Sequence, residues 1–215
     1  MPEINDLPIL ALDLETGGLT PGEHTPLSIG AVWLDGPRLP IDETNSFYAQ
    51  LEWPVYVTTP QAMATNKLDL INPPGPSGAF IDRSYPSEEA LIRFKQWLRD
   101  HIENPRDGMI YTLGFNVGSF DLPMLRSIWC GPWPFHYRSI DLNSLLFILS
   151  RIQNKSFDVI KKEIVDIAWD NLKKQHPEFV NSIGEPMEHH ALADAWSNIY
   201  VYDECINRLN ARNNL

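Results

Sequence analysis

The segment LPILALDLETGGLT, residues 7–20, is an apolar run that reads as a core strand yet carries two carboxylates, Asp13 and Glu15, at its end. Side chains two apart on a strand share a face, so both acids aim at one point just beyond the strand's C-terminal end. Like charges about 4 Å apart repel by about 4 kcal/mol at an effective dielectric of about 20. Something must offset that cost. Open α/β sheets place their sites at this edge. Alone, the D-x-E triplet ordinarily marks a strand emerging into solvent, and its weight depends on what the rest of the chain supplies.

Working outward, PILALDL (8–14) and LSIGAVWL (27–34) read as neighbouring buried strands, and TNSFYAQLE (44–52) alternates as a third. Their short connections predict an antiparallel meander. TTPQAMATNKLDLI (58–71) opens with Thr and Pro in helix-starting positions, and the Pro/Gly-rich stretch 72–86 reads as a loop covering a functional face. SEEALIRFKQWLRDHI (87–102) has a Ser cap, early acids and an apolar stripe at Leu91, Phe94, Trp97, Leu98 and Ile102, the pattern of a helix packed on the sheet. MIYTLGFN (109–116) is a further buried strand, DLPMLRSIW a helix with Pro123 in its first turn, and HYRSID (136–141) a short strand feeding the helix LNSLLFILS. Residues 157–174 and 189–209 form the last helical patterns. Strands gathered first and then alternating with helices predict an α/β or α+β sheet covered by helices.

The 215 residues, 43% hydrophobic, suffice for one substantial core, so a single domain over 1–215 is expected. The acidic N-terminus has no basic leader, and no apolar stretch reaches membrane-spanning length. A soluble, cytoplasmic protein with no membrane partner follows. Cys130 and Cys205 are far apart and lack C-x-x-C spacing, which argues against a disulfide framework or a zinc site. A net charge of −11 argues against an extensive basic surface for nucleic acid, but not against an enzyme that meets phosphates through bound metal. The basic run from Arg151 to Lys174, interleaved with Asp158, Glu163, Asp166 and Asp170, has two readings: a solvated helix face with intrahelical pairs, or a stripe that tracks phosphates.

Two more carboxylates fall at informative places. Asp121, in GFNVGSFDLPM, sits at a strand-to-helix junction, again the C-terminal edge of the sheet; taken singly it reads as a helix N-cap. Asp194, in HHALADAW, lies in an amphipathic helix whose Leu192, Ala193, Trp196 and Ile199 leave little room for a charge on the core side. Of the adjoining histidines, His190 is four residues before Asp194 and shares its helical face, whereas His189 belongs to the entry loop. Spacing alone pairs His190 with Asp194.

In order, ALDLETGGL, GFNVGSFD and HHALADA resemble the three motifs of the DEDDh 3′–5′ exonucleases, the superfamily of proofreading domains, oligoribonuclease and ribonuclease T. The similarity runs from about residue 7 to 205 and is only an outline over 50–108. WPFHYRSIDLNSLL looks like the segment before a structural helix in the oligoribonuclease-like and phage exonuclease branches. The resemblance implies an RNase H-like fold, a mixed five-stranded sheet flanked by α-helices with the site at one edge. It implies that Asp13, Glu15, Asp121 and Asp194 converge on two divalent cations, which offset their repulsion; all-oxygen ligation suits Mg²⁺ or Mn²⁺. By analogy Asp13 bridges both ions, Glu15 and Asp194 hold the ion that binds the attacking water, and Asp121 supports the leaving-group ion.

The family pattern H-x-A-L-x-D-A puts the general base at His189, against the spacing argument for His190. The pattern is preferred, because a general base must be mobile and near the water, and an entry loop suits that better than a ligand's own helical face. The implied activity is release of nucleoside 5′-monophosphates from the 3′ end of single-stranded DNA or RNA. Thr16, Gly17, Gly18 and Leu19 follow the first motif: the glycines would permit close approach to the terminal nucleotide, and Leu19 would wedge against its base or serve as a core anchor. Asn116 would position the loop bearing Asp121, and Asp141 would cap a helix. Relatives commonly form homodimers. The chain ends soon after the last motif with no accessory nucleic-acid module, so weak intrinsic grip on long polymers is expected.

Two rival readings are separable. LDLET superficially resembles the start of haloacid-dehalogenase-type phosphatases, but their later lysine and acidic pair have no convincing place here, and HHALADA stays unexplained. A binding module that kept the fold without turnover conflicts with the retention of all four carboxylates and the histidine.

Overall fold

A computed structural model describes residues 8–35, 41–102 and 109–213. The acidic N-terminal residues 1–7 lie outside these. Six strands form one mixed sheet in the order β4-β3-β2-β1-β5-β6. β1 (Ile9–Thr16), β2 (Pro26–Trp33) and β3 (Ser46–Glu52) make the antiparallel meander. α1 (Pro60–Asn66) follows, capped by the Thr59 side chain with Pro60 in its first turn, as the Thr-Pro pair predicts. β5 (Ile110–Gly114) and β6 (Phe135–Asp141) run parallel to β1.

The sheet has one strand more than the five expected. β4 (Ser84–Pro86) comes from the end of the Pro-rich stretch read as loop, and pairs parallel to β3 at the sheet edge. Three residues with no alternation leave no periodic signal, and Pro is tolerated there because an edge strand leaves half its N–H groups unpaired. α2 (Ser87–His101) begins directly from β4, so Ser87 is its first residue and not its cap; Pro86 precedes it without a side-chain cap bond.

The remaining helices are α3 (Asp121–Ile128), α4 (Leu142–Gln153), α5 (Phe157–Gln175) and α6 (Ala191–Asn213). They divide between two faces. Leu10, Leu12 and Leu14 of β1 enter an aromatic-rich core with Phe47, Phe94, Trp97 and Phe135 under α2 and α3. Ala11, on the opposite face, belongs to the core built with α4, α5 and α6. Asp13 and Glu15 continue that second face, and α6 packs across β1 and β2 above it. Gly30, the residue paired with Asp13 in register, makes this crossing possible. A Cβ on Gly30 would fall 2.1 Å from the carbonyl carbon of Ala191, so the first turn of α6 rests directly on the sheet backbone.

Candidate active site

β1 delivers the first two acids. A bulge between Glu15 and Thr16, next to Pro26, which lacks an N–H for the ladder, ends the pairing and turns the strand into the 17–24 loop. The β1/β5 pairing stops at Ala11–Leu113, so the strands separate beyond it. The Leu14 N–H exposed by that separation donates to Asp121 Oδ1 at 3.0 Å. The carboxylate of Asp121 is therefore not a helix cap. It reaches across to β1 and is only 3% exposed.

α6 brings the fourth acid. One ligand atom each of Glu15, His189 and Asp194 lies within 4.8 Å of the others, the one such cluster of His, Cys, Asp and Glu among the described residues. Burial raises the Asp13 carboxyl to about 7. Burial, reinforced by Asp13, raises Glu15 to about 8. Burial first, then Asp13, holds Asp121 and Asp194 well above the usual carboxylate range. Asp13 is the foremost repelling charge for each of the other three, which puts it at the electrostatic centre. Four acids in this condition cannot all ionise unaided, and an oxygen-rich donor set of this charge fits hard divalent cations.

The two histidines part at the start of α6. His189 takes φ +63°, a left-handed conformation that histidine visits more readily than most residues, and its exposed ring stays with Glu15 and Asp194. His190 is buried with its ring stacked on Tyr48, centroids 4.5 Å apart. Its Nδ1 accepts the Ala193 N–H at 3.4 Å, leaving Nε2 to donate to the Ile81 carbonyl at 2.8 Å, and burial lowers its pKa. His190 is a neutral structural residue at the helix start. The four-residue spacing misleads because it presumes a helical backbone, and the helix begins only at Ala191.

Beside the acids opens a cleft of about 470 Å³ whose lining includes Glu15, Thr16, Gly18, Leu19, Asn66 and Phe120. Leu19 is 80% exposed at its lip, which excludes the core-anchor reading. Thr16 Oγ1 donates to the Gly18 carbonyl at 2.8 Å and shapes the loop. Gly17 is enclosed by its own chain: a Cβ there would meet the Val57 carbonyl at 2.4 Å. The structure thus puts Gly17 behind the cleft wall and Gly18 in it. Asn116, at φ +55°, accepts the N–H groups of Ser119 and Phe120 at its carbonyl, each at 2.9 Å, in the loop that leads to Asp121. Asp141 caps α4 through Asn143 N–H at 2.9 Å.

Sequence reasoning missed His24, Asn66 and Phe120. His24 packs against Gly18, where a Cβ would fall 2.2 Å from its ring. Asn66 is buried and donates to the Thr16 carbonyl at 3.3 Å. Phe120 had an available signal, since it immediately precedes Asp121. The other two had none, because they meet the cleft only through folding of the 17–24 loop and α1.

Fold and site together define a class: an RNase H-like α/β sheet that resembles the DEDDh-type 3′–5′ exonuclease superfamily in motif order and in architecture. In sequence, the chain is similar to the 3′-5′ DNA exonuclease Cap18 of Escherichia coli, 26% identical over 144 residues, 66% of this chain and 68% of that protein. In structure it is similar to cell-death related nuclease 4, CRN-4, with a TM-score of 0.56 and 14% identity, covering 93% of this chain and 64% of that one. E. coli exonuclease I in complex with a dT13 oligonucleotide gives 0.53 and 17%, covering 97% of this chain and 43% of that one. The chain therefore spans less than two thirds of CRN-4 and less than half of exonuclease I. No protein-family model matches it. The described residues contain no helix long and apolar enough to cross a membrane.

Proposed function

We propose that this single domain is a metal-dependent 3′–5′ exonuclease that releases nucleoside 5′-monophosphates from single-stranded DNA. The observation that carries the reading is the gathering of four acids, Glu15 and Asp121 buried and Asp13 and Asp194 half-buried, with one exposed histidine beside a cleft walled by Leu19 and Phe120. Asp13, Glu15, Asp121 and Asp194 would hold two Mg²⁺ or Mn²⁺ ions. Such ions, when bound, polarise the scissile phosphate and stabilise charge on the attacking and leaving oxygens.

The chain's own residues do the rest. Leu19 and Phe120 flank the terminal base and hold it apart from its neighbour. The end of β1 at Thr16, and Gly18 beside it, leave room for the terminal sugar. His189, exposed and with a ligand atom within 4.8 Å of those of Glu15 and Asp194, accepts the proton of the attacking water. The leaving group is the 3′ oxygen of the penultimate nucleotide. DNA is preferred to RNA because Cap18, the similar curated protein, is a DNA exonuclease.

The test is a time course on 5′-labelled single-stranded DNA and RNA of one sequence, with Mg²⁺, Mn²⁺ or EDTA, resolved to single nucleotides. A ladder shortening from the 3′ end only with metal, faster on DNA, is the expected result. Intact strands in every lane would turn the reading toward a binding module, and hydrolysis of a simple phosphomonoester toward a phosphatase.

A further inference from the structure

The basic run from Arg151 to Lys174, most of it on α5, resolves into paired and unpaired charges. Lys155 pairs with Glu163 at 2.7 Å, Lys162 with Asp166 at 2.7 Å and Lys173 with Asp170 at 3.0 Å. Among the described residues no carboxylate pairs with Lys161. Its ammonium lies over the Phe115 ring, 4.9 Å from the centroid, and 6.0 Å from that of Phe157. Beside it an open groove of about 480 Å³ is lined by Asn143, Ser144, Phe147, Ile148 and Phe157. Phe147 is 57% exposed there and Ile148 47%, although the neighbouring turns of α4 bury Leu146 and Leu149 completely.

This groove is wired to the candidate active site. Asn143 donates its side-chain amide to Asn116 Oδ1 at 3.1 Å, and Asp141 Oδ1 accepts the backbone N–H of both Asn143 and Asn116. Asn116 in turn holds the loop that ends in Phe120 and Asp121. One hydrogen-bonded path therefore runs from the groove to a wall of the cleft.

Resting on the exonuclease reading above, we propose that this α4–α5 groove binds the nucleotides 5′ of the scissile bond, with bases on Phe147 and Phe157 and a backbone phosphate at Lys161. The chemistry selects a single strand. The exposed Phe147 ring and the half-buried Phe157 ring offer faces that stack on any base, and a cation with no carboxylate partner meets a phosphate without first breaking an ion pair. In a chain of net charge −11, affinity for a polyanion beyond that supplied at the metal site must come from such local cations. A second copy of the chain is a poorer occupant, since a two-fold contact centred here would bring Lys161 near its own copy.

The test compares a thymidine dinucleotide with a thymidine dodecamer, both 5′-fluorescent. Binding is read by anisotropy in Ca²⁺ and cleavage separately in Mg²⁺. The wild type should bind the dodecamer more tightly by at least tenfold. Phe147→Ala and Lys161→Glu should each shrink the dodecamer-to-dinucleotide affinity ratio by roughly 5- to 10-fold, the scale of one lost base stack. Lys161→Glu should also lower the salt slope of dodecamer binding by about 0.7, one phosphate contact fewer on a single strand. Lys161→Gln keeps the aliphatic stem over the two rings and should show the same slope change. Equal affinity for both lengths, or variants with the wild-type ratio, overturns the groove. A Phe147→Ala variant that converts a dimer to a monomer without changing dodecamer affinity also overturns it, as a self-contact. Length-dependent binding through Lys161 with no cleavage of either substrate supports the groove and overturns the exonuclease reading instead.

Discussion

The two faces of β1 put one strand to opposite uses. On one, Leu10, Leu12 and Leu14 pack into a core dominated by rings: Phe47 and Phe94 with centroids 4.8 Å apart, and Trp33 and Trp97 at 5.4 Å. Neither Asp13 nor Glu15 points to that side. On the other, the same pleat carries Ala11 into a core and then Asp13 and Glu15 into a cluster of like charges. One face stabilises the fold, and the other gathers carboxyls that burial, and then mutual repulsion, hold above their usual range, a cost that cations would relieve under the proposed function. Because a pleat separates them so cleanly, substitutions on the two faces should move different observables.

The largest effect expected tests the charged face. Asp13→Ala should lower metal-dependent cleavage by about 10³-fold or more, the several kcal/mol of charge stabilisation supplied through a ligated cation. The same variant should melt higher than the wild type in EDTA, since it removes the charge that the other three acids oppose. A lower melting temperature in EDTA would mean that Asp13 supports the fold, and the division between faces would fail.

The complementary test lies on the aromatic face. Phe94 is fully buried among Phe47, Trp97 and Phe135, so Phe94→Ala should cost about 3–5 kcal/mol in urea unfolding. Activity per folded molecule should stay within about twofold of wild type, since among the described residues the ring contacts of Phe94 are Phe47, Trp97, Trp129 and Phe135, none of them a site residue. A large loss of kcat in the folded fraction would show that the faces are coupled.

The adjoining histidines repeat the contrast over one peptide bond. His189→Ala should reduce kcat by about 10²-fold, the lower end for a lost general base, with little change in stability. His190→Ala removes a helix-start bond and the Ile81 contact, and should cost about 1–2 kcal/mol of stability while kcat changes far less. Equal kcat values for the two variants would sink the assignment of the base.

What the sequence made legible follows from local pattern. The strands, the Thr59-Pro60 start of α1 and the positions of the four acids are periodic or motif signals, and each acid lies at the edge where the sheet places it. What stayed hidden depends on contacts between distant segments. Gly30 reads as an ordinary strand residue until α6 lies on it. The Leu14 N–H that Asp121 accepts exists only because β1 and β5 separate after Ala11. β4 is too short for any period, and His24 meets Gly18 only after the loop closes. His189 and His190 were separable by a motif but not by spacing, since the helix boundary between them is a backbone fact.

The smallest effect expected is also the sharpest reading of the charged face without metal. Asp13 at about 7 and Glu15 at about 8 both lie above their unfolded values of 3.8 and 4.5, chiefly because burial penalises the ionised form. Between about pH 4 and pH 8 the folded protein therefore binds more protons than the unfolded chain, and stability falls as pH rises through that window. In EDTA the melting temperature should drop by several degrees from pH 5 to pH 8, the reverse of a protein held by carboxylate ion pairs. Saturating Mg²⁺ or Mn²⁺ should flatten or invert the slope, because cations bind the ionised carboxylates and stabilise the folded state by mass action. Asp13→Asn should flatten it in EDTA alone. A metal-free slope of the opposite sign would mean that the four acids are already compensated from within the chain, and that the charged face stores no repulsion for cations to relieve.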